Sequence, residues 1–137
     1  MALNNFSTDQ IVVTVNGREI TDWGDSDSPI TDAPIDQRSN LRRGMGGNAI
    51  RLDRKNPGRS VTLNLNPGSP DSAYMQALFN SYANISFSAT VIGTLENAIG
   101  TEGVITNDGA SNRGGTTISD DQFLMEFNAW TGLKGGE

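Results

Sequence analysis

The chain has 137 residues, enough for one domain with its own hydrophobic core. Apolar residues make up only 35% while glycine is abundant at 16, so a β-rich, turn-rich protein is expected, with surface that is buried on assembly. The absence of Cys and His removes disulfides, thiolate and imidazole metal sites, the commonest general base and the usual partners of Ser and Cys nucleophiles.

These absences make an enzyme the least expected class and leave no cofactor to predict. The N-terminal MALNNFSTDQ lacks the basic and apolar regions of a secretory signal. No apolar run approaches the roughly 20 residues needed to cross a bilayer, so a soluble protein of a reducing compartment is expected, with no membrane partner.

Net charge is −6, but seven of the ten basic residues fall between 38 and 59: Arg38, Arg42, Arg43, Arg51, Arg54, Lys55 and Arg59. Only Asp53 opposes them there, which gives this segment +6 and the remainder −12. Asymmetry of this size speaks to partners rather than to fold.

In chain order, Ile11 to Val15 reads as a strand, and Asn16-Gly17 as a hairpin turn into the run Arg18 to Trp23. From Gly24 to Asp36 the sequence GDSDSPITDAPID predicts a loop or an irregular edge segment, because proline cannot donate to a sheet ladder. The basic segment 38–59 follows. Its arms, Ser39 to Arg43 and Ala49 to Arg54, can pair around Gly44-Met45-Gly46-Gly47-Asn48 as a long hairpin. Leu41, Ile50 and Leu52 are the only large aliphatics in those arms, so the hairpin has little to bury alone and is expected to project toward an external partner.

Ser60 to Asn66 alternates strictly, with Val61, Leu63 and Leu65 on one face. After Pro67-Gly68, Ser69 reads as an N-cap, Pro70 as the first helical residue and Asp71 as a charge complement to the helix dipole. Tyr74, Met75, Leu78, Phe79 and Tyr82 make an apolar stripe, which predicts one amphipathic helix over 69–82. Ile85 to Ile92 alternates again, while Thr94 to Gly100 is ambiguous. Gly103 to Thr106 reads as a short strand ending at Asn107-Asp108-Gly109, residues 109–116 as turns, and Gln122 to Trp130 as the last strand before a loose tail. The whole predicts a single domain over 1–137, mainly β: a β-sandwich or β-barrel with one packed α-helix and a long projecting β-hairpin.

Three sites carry candidate chemistry. Asp25, Asp27 and Asp36 stand at positions one, three and twelve of a calcium-loop spacing, with Asp32 between them. Position six is Ile30, where the sharp turn needs Gly, and no helices flank the loop, so a solvated acidic loop meeting a neighbour's basic segment is the better reading. The basic segment has charges for phosphates but no aromatic residue for base stacking, within an acidic chain that repels polyanions. Docking on an acidic protein surface therefore stands ahead of nucleic-acid binding. Asp120-Asp121 reads as a turn rather than an acid/base pair, and Trp23 and Trp130 as core or interface anchors.

One order of motifs resembles a known family. A strand ends in Trp23-Gly24-Asp25, and the Gly44-Met45-Gly46-Gly47 turn is followed by Arg51. The Ser60-Val-Thr-Leu-Asn-Leu65 strand, the Ser69-Pro70-Asp71-Ser72 cap, the Ala77-Leu78 helix and a late strand closing with Ala129-Trp130 complete it. The chain resembles the tail tube proteins of contractile-tailed bacteriophages over residues 20–80, and more loosely over 120–131. It departs from them at Ser26, where family members carry the second glycine of a Gly-Asp-Gly element, and residues 93–119 match nothing in the family.

The resemblance implies a structural virion protein. Its protomers would stack as hexameric rings into a tube for DNA ejection, assembled in the bacterial host cytoplasm. It implies tail sheath, tail terminator and baseplate partners, with DNA only as passing cargo. The hairpin would reach the next ring, so that Arg38, Arg42, Arg43, Arg51, Arg54 and Lys55 meet the acidic Asp25, Asp27, Asp32 and Asp36 of a neighbour. A terminator, tail-tip or secretion-tube component of the same fold is the alternative, ahead of a nucleic-acid-binding module.

Overall fold

A computed structural model describes residues 11–25, 28–91 and 95–134. Seven antiparallel strands form one curled sheet, a half-barrel, in the order β2-β1-β7-β8-β9-β6-β3. These strands are β1 (Ile11–Val15), β2 (Arg18–Ile20), β3 (Ile30–Pro34), β6 (Arg59–Leu65), β7 (Ile85–Val91), β8 (Glu96–Asp108) and β9 (Asp121–Leu133). A separate two-stranded ribbon pairs β4 (Ser39–Arg43) with β5 (Ala49–Asp53), and the single helix α1 spans Pro70–Asn80. Of the two architectures expected, the protein takes the barrel-like one and leaves it open. No second sheet packs face to face against the first among the described residues.

The alternating residues do what their period requires. Val13, Val15, Val61, Leu63, Leu65, Ile85, Phe87, Ile105, Phe123, Met125 and Phe127 point into the concave side and are buried there. The turn at Asn16-Gly17 has positive φ at both residues, 50° and 86°, as a two-residue hairpin with native twist demands. Phe127 packs over Gly103, where a β-carbon would clash with the edge of its ring, 2.5 Å from Cε1. A broken register between Ile85 and Phe87 and the positive φ of Glu102, 55°, mark a bulge in this part of β8.

The helix closes the core where the sequence placed it. Ser69 caps it by accepting a hydrogen bond from the Ser72 N–H at 3.1 Å, and Met75 is fully buried. Asp71 ties the helix to the corner after β2. Its carboxylate accepts the backbone N–H groups of Thr21 at 2.9 Å and Asp22 at 3.0 Å, and the Arg18 guanidinium at 3.2 Å. The same guanidinium lies 5.1 Å from the Tyr74 ring centre, and the Tyr74 hydroxyl donates to the Val15 carbonyl. Burial alone would raise the Asp71 pKa, but the two N–H groups and Arg18 outweigh it and hold the carboxyl below its ordinary range.

One alternative is settled and two expectations need correction. Of the loop or irregular edge segment expected over 24–36, residues 30–34 take the edge form: β3 pairs with β6 as an edge strand, and Pro34 stands at its end, where a missing N–H costs nothing. The tail is not loose through Leu133, because Thr131–Leu133 extend β9 against Asn97–Ile99, which also resolves the ambiguous stretch as the start of β8. The helix stops at Asn80, two residues before Tyr82. Tyr82 is 88% exposed at φ 56°, in the left-handed position of a Schellman stop: its N–H bonds the Phe79 carbonyl and the Ala83 N–H bonds that of Leu78.

Candidate assembly surfaces

The basic segment forms the expected hairpin. The β3–β6 ladder continues through Ile35 N–H to Gly58 O and Asp36 N–H to Pro57 O, then resumes at Arg54 N–H to Arg38 O. The hairpin is therefore the outer half of one long ribbon rooted in the sheet. Register pairs Ser39 with Asp53, Leu41 with Arg51, Arg42 with Ile50 and Arg43 with Ala49, around a turn held by Gly44 N–H to Asn48 O. No side chain of β4 or β5 is buried: Leu41, Ile50 and Leu52 are 60%, 56% and 53% exposed.

The candidate contact residues are not all placed as a simple basic-to-acidic loop pairing requires. Asp32, within β3, holds Arg59 at 2.5 Å, and Asp36 lies 3.9 Å from Arg54. Both acids thus neutralise bases at the root of their own hairpin, and a strand through 30–34 also dissolves the calcium-loop geometry. Asp53 accepts from the Ser39 hydroxyl at 2.6 Å and from Arg51 at 2.8 Å; these two bonds, in that order, hold its carboxyl below the ordinary range. Among the described residues Arg38, Arg42, Arg43 and Lys55 form no ion pair. Asp25 is exposed at the opposite end of the sheet, its N–H donating to Asp120 Oδ1 at 3.0 Å. Asp27 lies outside the described residues.

Strand register reveals acidic residues that the sequence did not single out. β6 runs from Arg59 at the hairpin end to Leu65, roughly 20 Å away at ~3.3 Å per residue. Leu65 pairs with Asp121, Asp108 ends β8 opposite Phe123, and the Asn66 N–H bonds the Asp22 carbonyl. Asp22, Asp25, Asp108, Asp120 and Asp121 therefore share the end of the sheet remote from the hairpin. Asp121 is already committed to Arg113 and to the Ser72 hydroxyl. Only the antiparallel register of β6, β8 and β9 gathers these residues, which is why spacing along the chain named Asp25 alone among them as a contact candidate.

The open sheet offers further surface. β6 accompanies β9 only from Asp121 to Phe127, so the edge of β9 from Asn128 to Leu133 faces a cleft of about 820 Å³. One wall is the hairpin root at Ile35, Pro57 and Gly58; Ala98, Trp130 and Gly132 line the other side. Trp130 stacks on Phe87 with ring centres 5.7 Å apart, and Trp23 bridges to Leu65. Both tryptophans are partly buried against the core. Among the described residues no acidic group is arranged to hold a metal ion, and no helix is long and apolar enough to cross a membrane.

No protein-family model and no curated protein sequence matches the chain. Solved structures do. A chain of the sheath/tube terminator of an extracellular contractile injection system aligns with a TM-score of 0.65 at 11% identity, covering 98% of this chain and 100% of that one. A chain in the virion of a native gene transfer agent particle gives 0.62 at 12%, covering 95% and 100%. The terminating cap of the anti-feeding prophage tube gives 0.57 at 16%, covering 98% and 95%. The chain shares the fold of chains found in contractile injection-system and gene-transfer-agent particles.

Proposed function

We propose that the protein is a protomer of a phage-type tail tube, stacking as hexameric rings into a conduit through which DNA leaves the particle. The observation that carries this reading is the long hairpin with no buried side chain, rooted in an open half-barrel whose fold is that of tail and injection-system components. A monomer gains nothing from exposing three large aliphatics on a ribbon held far from its core. An assembly does, because a neighbour covers them. Open strand edges at β2, β3 and the outer part of β9 leave backbone groups that neighbouring copies can pair. A basic end and an acidic end on one chain favour head-to-tail contacts, which close into rings or grow into filaments. Sheath, terminator and baseplate proteins are the remaining partners of such a tube, and the negative body suits a channel that must not retain DNA.

A terminator role is the second reading, favoured by the alignment over the whole of a chain from the sheath/tube terminator structure at the higher TM-score of 0.65, against 0.56 for one from the sheath–tube complex. Sedimentation velocity across a concentration series tests both. A tube protomer gives open-ended growth into large species, a terminator stops at one closed ring, and a protein that stays monomeric at the highest concentration refutes both.

A further inference from the structure

The register of the hairpin gives it two unlike faces. Ser39, Leu41 and Arg43 share one face with Asp53, Arg51 and Ala49; Asn40 and Arg42 share the other with Leu52 and Ile50, and Arg38 and Arg54 continue it toward the root. The first face carries a carboxylate of its own, since Arg51 and Ser39 both bond Asp53, and beside them lie Arg43 and the 60% exposed Leu41. The second holds Ile50 and Leu52 side by side, both more than half exposed, flanked by Arg42 and Arg38, which form no ion pair among the described residues.

We infer that this hairpin docks through one face only, the Arg38–Arg42–Ile50–Leu52 face, and that the occupant is the acidic far end of a second copy of this chain. The inference rests on the assembly reading and deepens it by naming both halves of the contact. Charge complementarity selects the occupant. The far end carries exposed Asp25 and Asp108 beside Asp22 and Asp120, while this hairpin face carries Arg38 and Arg42 and no carboxylate among the described residues. That end also presents an apolar counterpart, because Ile118, in the connection between β8 and β9, is 60% exposed. Two aliphatics against Ile118, ringed by arginine and aspartate, give an apolar centre with a charged rim.

The test compares the two faces in the full chain. The double variants R42Q/L52S and R43Q/L41S each remove one charge and one aliphatic, from opposite faces, and neither touches the core. Circular dichroism should be unchanged for both. The concentration at which assemblies form, read by sedimentation, should rise at least about tenfold for R42Q/L52S, the loss of one interface anchor, and stay near wild type for R43Q/L41S. R42E should abolish assembly, and R42E/D108R should restore it. Equal effects from the two faces, a larger effect from R43Q/L41S, or no restoration by D108R would overturn the inference while leaving the assembly reading intact. A wild-type chain that never assembles would overturn the assembly reading itself, and the inference with it.

Discussion

Replacing Asp71 with alanine removes the acceptor that joins the helix to the sheet corner. Asp71 is 4% exposed and accepts two backbone N–H groups and one guanidinium. Alanine leaves the Thr21 and Asp22 N–H groups without an acceptor in a partly buried place, at about 1–3 kcal/mol each. Arg18 is 43% exposed, so its share is discounted and the total expected loss is about 2–6 kcal/mol. That is a large part of the 5–15 kcal/mol typical of a domain. Asparagine keeps one oxygen and should cost about half as much. Urea unfolding, followed by circular dichroism at neutral pH, reads the difference from the midpoint shift.

The pH dependence supplies an independent check on the same group. The folded carboxyl titrates below its ordinary value of 3.8, so its contribution is present above that pH and is lost as pH falls through the lower, folded value. The gap between wild type and D71N should therefore narrow in acid below about pH 4. A D71A loss under about 1 kcal/mol, or a gap that widens in acid, would refute the role given to this carboxylate.

The remaining predictions concern other joints of the structure. Gly103→Ala should cost about 2 kcal/mol in urea unfolding, because its β-carbon clashes with the edge of the Phe127 ring, which is 1% exposed. Tyr82→Gly should raise stability by about 1 kcal/mol, since glycine adopts φ 56° without the strain an L side chain meets there. Replacing residues 39–53 by Asn-Gly should leave unfolding stability within about 1 kcal/mol of wild type, because no removed side chain is buried, yet it should abolish self-assembly seen by sedimentation. Assembly of the intact chain should weaken as salt rises, because the docking charges are exposed and screened over about 10 Å at 0.1 M.

Much of this was legible in the residues because local and tertiary demands coincide. The Asn16-Gly17 turn, the Ser69 cap, the alternation of β6 and the projecting hairpin each carry a short-range signal that the final packing agrees with. Where the two part company, the reading slipped. Pro34 left its stretch open between a loop and an edge segment, and Tyr82 continued the apolar stripe past a helix that its own backbone stops. β8 was hard to see because Gly100 and Gly103 break its pattern; both are glycine to admit the Trp130 and Phe127 rings, a reason found only across strands. The acidic end was invisible for the same cause, since Asp22, Asp108 and Asp121 meet through register and not through spacing.

Assembly itself is the claim on which the account stands, and electron micrographs of the purified, negatively stained chain test it most directly. Rings with a central hole should stack into tubes in low salt and disperse when Arg42 is reversed to glutamate. A field of single small particles at high concentration in low salt would contradict it.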